Sequence, residues 1–404
     1  MHFAFIIDDY LPHSTRVGAK MYHELACYYI SLGHEVTVIT PNDKQSDKLV
    51  KCTIDGVSVW SFASGAIKDV PKVKRAVNET LLSFRAWRAI ANEVKPDTFD
   101  GIVYYSPSIF FGRLVSKLKS RCQCRSYLVL RDLFPQWVID AGMIKQGSLI
   151  EKYFRAFESL SYAQADTIGL MSKKNQSLFE QLTENSFSTE VLRNWAALTP
   201  HTLTSDNRSI RKKLNLGNKV IYFYGGNIGH AQDMPNLMRL VKSMSQYDDA
   251  HFLFVGQGDE VNLINELAVK WELDNFTYLP SVSQAEFKDI LADIDIGLFS
   301  LSIQHTAHNF PGKLLGYMVQ SIPILGSVNQ GNDLANIVND NNAGMISVNG
   351  EDDVLFRNAV ALYSDIELRK SIGRNAFSLL ELEFSVQSAG NTILEKLKGQ
   401  HESI

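Results

Sequence analysis

The sequence predicts an α/β fold: two Rossmann-like domains in tandem, facing each other across a cleft. Three observations lead there. Short β-like runs alternate with helical patterns, which reads as parallel sheets covered on both faces. The alternation occurs twice, interrupted by a polar stretch at 195–218. The 404 residues suffice for two or three domains of ordinary size. With 45% hydrophobic and 21% charged residues, the chain falls in the soluble globular class, which excludes collagen-like, disordered and coiled-coil architectures.

FAFIID at 3–8 predicts the first buried strand. Met21, Leu25, Tyr28, Tyr29 and Leu32 then recur at helical spacing over 18–32, and Gly33 stops that helix. Further strands are predicted at EVTVIT (35–40), VSVWSF (57–62), GIVYYS (101–106), RSYLVLRD (125–132), TIGLMS (167–172) and TEVLRN (189–194). Helical patterns near 74–94, 108–119, 148–163 and 174–183 separate most of them. The stretch 195–218, with Pro200 and a basic run at 211–213, predicts an interdomain linker carrying a short helix. The second alternation has strands at KVIYFYG (219–225), HFLFVG (251–256), FTYLP (276–280), IGLFSL (296–301) and PILGS (323–327). Its helices run to about 246, over 259–271 and 284–292, and from about 313, before a terminal helical tail. The expected domains are 1–195 and 196–380, with a last helix at 381–404 crossing back to the first domain.

The net charge of −4 hides a split: residues 1–195 carry 24 Lys and Arg against 20 Asp and Glu, giving +4, and the rest carry 16 against 24, giving −8. Two units with different electrostatic roles, or a mere drift of surface charge, both fit this. No nucleic-acid partner is expected. Cys27, Cys52, Cys122 and Cys124 offer only a CxC pair, so neither a disulfide framework nor a zinc site is expected, and a reducing cytoplasm fits. The ten histidines lack HExxH or HxH spacing, so no metal is expected. MHFAFIIDDYLPHS lacks the basic start and long apolar core of a signal peptide, and no run of about 18 apolar residues occurs. A cytoplasmic protein is expected, with contact to a membrane surface left open.

Ligands of such sheets bind beyond the carboxyl ends of the strands. In the second half, YFYGGNIGHAQDM places Gly225 and Gly226 after a strand and Gly229 before a helix, so the backbone and helix N–H groups can approach a phosphate. A ligand-free βα turn fits equally. Pro311-Gly312-Lys313 opens another helix; a lysine there opposes the helix dipole, which favours an anionic partner. In the first half, Asp8 and Asp9 end the first strand, Arg16 and Gly18 sit just before the first helix, and Arg131 and Asp132 end the strand at 125–132. Asp132 could orient an acceptor hydroxyl or act as a base, or simply cap the turn that Pro135 enforces. The basic, amphipathic 72–90, with Val73, Val77, Leu81, Phe84 and Trp87, fits either an anionic bilayer or packing on its own sheet.

GHEVTVIT (33–40), RDLFPQWVIDAGMI (131–144), LRNW (192–195), GGNIGHAQDMPNL (225–237), FVGQGDE (254–260) and FPGKLLGYMVQSIPIL (310–325) together resemble bacterial GT-B glycosyltransferases of family 4. The resemblance covers nearly the whole chain and is nearest to the branch that builds O-antigen and colanic-acid repeats. It implies a UDP-sugar donor on the second domain, an N-acetylated deoxyhexosamine such as N-acetyl-L-fucosamine. It implies a polyprenyl-diphosphate-linked saccharide acceptor on the first domain, at the inner membrane, with no metal or other cofactor. It assigns Gly225, Gly226, Asn227, Lys313 and Leu314 to the donor diphosphate and the loop holding Leu279 and Ser281 to the base. Asp9, Arg16, Gly18 and Arg131 fall on the acceptor side, Arg131 where many relatives place a His. Asp132, Lys313 and His308 carry the catalytic roles. His308 and Gly316 stand where the family often has two Glu, which leaves the ribose contact unassigned. The Arg and Lys that many members carry after the GG turn are absent across Ile228 to Met234. The resemblance implies retention of anomeric configuration, the leaving diphosphate taking the acceptor proton.

Two other classes remain: a UDP-sugar epimerase of the same architecture, and a non-catalytic partner in polysaccharide assembly. A nicotinamide dehydrogenase would need a GxGxxG after a first strand, which is missing.

Overall fold

A computed structural model describes residues 1–398 apart from 13, 15, 68, 69, 107, 141 and 304–309, with the side chains of Lys72 and Asp206 also left undescribed. The chain divides into two compact units: residues 1–193 together with the segment from 386 on, and residues 194–385.

The first unit is built on eight strands: β1 (His2–Ile6), β2 (Glu35–Asn42), β3 (Leu49–Ile54), β4 (Val57–Ala63), β5 (Gly101–Ser106), β6 (Arg125–Leu130), β7 (Thr167–Leu170) and β8 (Thr189–Val191). Their order is β3-β4-β2-β1-β5-β6-β7-β8, and every pair is parallel except β3–β4. Helices cover the sheet, so β1 and β6 are buried almost end to end, which explains their unbroken apolar runs. The edge strand β3 was not expected from the sequence. Its mid-strand residues are exposed, so it lacks an apolar face, but the Asp55-Gly56 loop (φ 49° and 83°) is a two-residue hairpin signal that the sequence does carry.

The second unit has six strands: β9 (Val220–Asn227), β10 (Ala250–Gln257), β11 (Phe276–Leu279), β12 (Ile296–Ser300), β13 (Ile324–Val328) and β14 (Gly344–Val348). The order β11-β10-β9-β12-β13-β14, all parallel, is the doubly wound 3-2-1-4-5-6 arrangement. Apolar cores lie on both faces, one around Phe223, Leu314 and Tyr317, the other around Tyr222, Tyr224 and Met238. The order reverses between β9 and β12, and their carboxyl ends open the crevice where such sheets take ligands.

Three expectations need correction. The tail after β13 is not all helical, because β14 joins the sheet before the helices Asp352–Ser364 and Ile366–Leu379. The stretch 195–218 is no free linker. Ser209 Oγ donates to Asp293 (2.6 Å), Arg208 pairs with Asp289 (2.7 Å), and Arg211 grips Asp293 and Asp295, so this stretch is pinned to the second unit. The pattern at 74–94 is two helices, Lys72–Thr80 and Leu82–Ile90, meeting at Leu81.

The last helix, Val386–Lys398, lies on the first unit. The Tyr29 hydroxyl donates to the Gly390 carbonyl (2.9 Å), and Lys396 pairs with Glu190 (3.4 Å). Gly390 is needed there, because a Cβ would sit 2.6 Å from the Tyr28 ring. Among the described residues, no helix is long and apolar enough to cross a membrane.

Candidate active site

In the second unit the strand β9 does not turn at its glycines. Gly226 pairs with Gly256 and Asn227 with Gln257, so the GG pair continues the ladder to the sheet edge. The two glycines serve different needs. A Cβ on Gly225 would strike the Phe287 ring at 2.6 Å, a packing constraint. Gly226 has φ +121°, a conformation reserved for glycine, and its empty side faces Lys313: a Cβ there would lie 3.6 Å from Lys313 Nζ. Gly256 lets β10 close up against this edge, since a Cβ on it would fall 1.8 Å from the Gly226 carbonyl oxygen.

Lys313 starts the helix Gly312–Val319, which has no side-chain cap. Half-buried, it holds its ammonium 3.6 Å from the centroid of the Tyr224 ring. Burial pushes its pKa down to about 7. Among the described residues no carboxylate pairs with it. The aromatic face offers about 0.5–2 kcal/mol, less than an ion pair in so desolvated a place. Leu314 adds little: its side chain is buried in the core and its N–H donates to the Pro311 carbonyl (3.0 Å). Asn227 is exposed and donates from Nδ2 to Gln232 (2.9 Å). Leu279 ends β11 level with Val255, half-buried against the core, and Ser281 lies exposed beyond it. Gly316, where the resemblance implies a ribose-binding Glu, faces Leu291; a Cβ there would approach its Cδ1 to 3.3 Å. His308 lies outside the described residues.

Sequence reasoning missed two elements of this edge. Tyr224 seats the lysine; its place one residue before the GG pair was the available signal. The buried Glu260 binds His230 Nδ1 (2.6 Å) and accepts from the Met234 N–H (3.3 Å), fixing the loop that leaves β9. No spacing rule points to that pair.

The carboxyl edge of the first sheet is built otherwise. Asp9 accepts from Ser14 Oγ (2.6 Å) and lies 3.6 Å from Arg16 Nε. Gly18 is the second residue of the helix Val17–Ser31, not a residue before it, and a Cβ there would touch Tyr105 at 3.4 Å. Arg131 donates to the carbonyls of Leu192 and Arg193, tying the end of β6 to the exit of β8. Burial lowers its pKa, with Tyr22, Tyr105, Tyr127 and Asp132 opposing. Asp132 reaches solvent, yet enough protein surrounds its carboxyl that desolvation raises its pKa despite Arg131. Among the described residues it accepts no hydrogen bond, so the turn-capping role is not observed. A carboxylate held beside solvent with a raised pKa suits proton transfer. Among the described residues, no three His, Cys, Asp or Glu side chains are grouped to hold a metal ion.

Solved structures share this architecture. WaaG, a glycosyltransferase involved in lipopolysaccharide biosynthesis, superposes with a TM-score of 0.61 at 14% identity, over 97% of this chain and 99% of its own. Anabaena HepE, solved with UDP and glucose, gives 0.66 at 14%, over 98% and 99%. The fold is therefore GT-B. Residues 206–378, most of the second unit, match the model for Glycosyl transferases group 1. Two curated relatives align. The probable glycosyltransferase WbjE of Pseudomonas aeruginosa is 24% identical over 221 residues, 54% of each chain. The putative colanic acid biosynthesis glycosyl transferase WcaI of Escherichia coli K12 is 25% identical over 301 residues, 67% of this chain and 70% of its own. The match thus spans about half the length of the first relative.

Proposed function

We propose that the protein is a glycosyltransferase (EC 2.4 class) of bacterial surface-polysaccharide assembly, of the O-antigen type. In this reading it is a family 4 enzyme that moves a sugar from a UDP-sugar to a polyprenyl-diphosphate-linked saccharide. The donor is an N-acetylated deoxyhexosamine such as N-acetyl-L-fucosamine, and the protein works in the cytoplasm, peripherally on the inner membrane, without a metal. The observation that carries it is Lys313: a half-buried cation with no carboxylate partner among the described residues, set against Gly226 at φ +121°. Support comes from the UDP bound by the similarly folded HepE and from the polysaccharide role in the name of WcaI.

Breaking the sugar C1–O bond places growing negative charge on the diphosphate. Lys313, the uncapped start of its helix and the Gly226 backbone would stabilise that charge, in a place where few waters compete. Asp132 would orient the acceptor hydroxyl, and the leaving diphosphate would take its proton, with retention at C1.

A thermal-shift panel of nucleotides and nucleotide sugars tests the donor class. UDP and UDP-N-acetylhexosamines should raise the unfolding temperature, and GDP and ADP should not. Equal response to all of them would overturn the assignment. Incubating the UDP-sugar without acceptor distinguishes a transferase from an epimerase, which would convert it.

A further inference from the structure

Three short helices of the first unit expose apolar side chains that a soluble surface has no use for. Val73 is 79% exposed and Phe84 63%, on the helices Lys72–Thr80 and Leu82–Ile90. Leu149 is 83% exposed and Ile150 59%, in the first turn of the helix Leu149–Tyr162, and Met143 just ahead of it is 71% exposed. The groups adjoin: the hydroxyls of Thr80 and Tyr153 are in hydrogen-bond contact, and Tyr153 lies one turn from Leu149 and Ile150 on the same helix face. Trp87, by contrast, turns away, half-buried under the Arg121 guanidinium (5.1 Å from the ring centroid). The sequence therefore named the right stretch but one wrong member, and it predicted the helix at 148–163 without singling out its exposed Leu149 and Ile150.

We infer that this face rests on an anionic lipid bilayer. The charge around it decides the occupant. Lys74, Arg88, Lys145 and Lys152 are exposed among the apolar residues. The neighbouring acids are engaged: Glu79 binds Arg75 (2.9 Å), Glu151 accepts from the Gly147 N–H (2.5 Å), and Asp140 accepts from Gln136 (2.7 Å). Lysines are depleted at protein–protein interfaces, whereas apolar side chains interleaved with lysines match the headgroup and acyl layers of an anionic leaflet. For its purpose, though not for the binding itself, this inference rests on the lipid-linked acceptor proposed above. It adds the surface that would bring the first unit to such an acceptor.

The test is co-sedimentation of the full chain with extruded phosphatidylcholine vesicles, with and without about 30% phosphatidylglycerol, at about 0.05 and 0.5 M salt. The chain should pellet with anionic vesicles at least about tenfold more strongly than with neutral ones, and lose most of that at high salt. The triple variant Phe84→Ser, Leu149→Ser, Ile150→Ser should lose about tenfold or more, with unchanged unfolding temperature and UDP affinity. Equal pelleting with both vesicle types, or wild-type pelleting of the triple variant, overturns the inference. So does a concentration-dependent dimer that the triple variant abolishes, because the face would then be an interface between copies. Sugar transfer without vesicle binding would sink this surface alone. Vesicle binding without transfer to any lipid-linked saccharide would uphold the surface and sink the acceptor reading.

Discussion

The two sheets end differently at their carboxyl edges. In the second unit the edge is mostly backbone: glycines at 225, 226 and 256 bring strands and a helix start together, and one half-buried lysine has no carboxylate partner among the described residues. In the first unit the edge is mostly side chain, and its charges are already engaged: Asp9 with Ser14 and Arg16, Arg131 with two carbonyls. Only Asp132 among them accepts no hydrogen bond from the described residues. On the proposed reading, the second unit presents backbone and a cation to the donor, and the first presents one carboxylate to the acceptor. Global charge does not follow this: the unit that carries the lysine is the acidic one, and charges beyond about a Debye length are screened at such a site.

The comparison breaks first, and hardest, at Asp132. Asp132→Asn keeps the shape and removes the negative charge. If it serves the acceptor, transfer should fall about 10²–10⁴-fold while UDP affinity stays level. Full activity would reduce the first edge to scaffold alone. Lys313→Met comes next. UDP affinity should drop about 10–100-fold, the worth of one charge-assisted contact in a desolvated site. An unchanged affinity, measured by calorimetry, would remove the lysine from the donor site and with it the contrast between the edges.

A smaller effect sharpens the same point through pH. Lys313 titrates near 7 in the folded protein and near 10.5 when exposed. Between those values the unfolded chain binds more protons, so the ligand-free protein should gain stability as pH rises from 7 towards 10. UDP needs the protonated amine, so its affinity should move the opposite way. From pH 7.5 to 9, above the ionisation of a terminal phosphate at about 6, affinity should fall by at most about tenfold per pH unit. The Lys313→Met variant should lose both the gain in stability and the fall in affinity that this lysine causes. Wild-type affinity that is itself flat would mean that the lysine stays charged throughout and its desolvation is incomplete.

Much of this was legible in the sequence, for a physical reason. Strands buried on both faces need apolar runs, and the inner strands of both sheets announce themselves that way; two of the four edge strands, β3 and β14, do not. β3 fails the test because one face meets water. The GG pair and Pro-Gly-Lys were legible because phosphate chemistry needs glycine and a cation near a helix start. Their mutual approach was not, since 87 residues separate Gly226 from Lys313 and only the β9–β12 crossover joins them. Leu314, which the resemblance assigned through its backbone, turns its side chain into the core, since one step along a helix rotates a side chain by about 100°. Arg131 read as an acceptor group because it sits at a strand end; its reach to the β8 exit depends on a neighbour 61 residues away.

The smallest predicted effect separates two meanings of Gly18. It occupies the first turn of the helix Val17–Ser31, beside Tyr105, with no side chain capping the helix start. Alanine is the better helix former by about 1 kcal/mol, and its Cβ would meet the Tyr105 ring at 3.4 Å, an ordinary contact. On folding grounds alone, Gly18→Ala should therefore raise stability by up to about 1 kcal/mol and leave transfer unaltered. If the helix start must lie against acceptor or phosphate, the same methyl group occupies that space, and transfer should fall several-fold while stability still rises. The two readouts then move in opposite directions, which no packing defect can imitate. A variant that is more stable and fully active would show that the first edge approaches its ligand with side chains only, and that close backbone approach belongs to the glycine edge of the second unit.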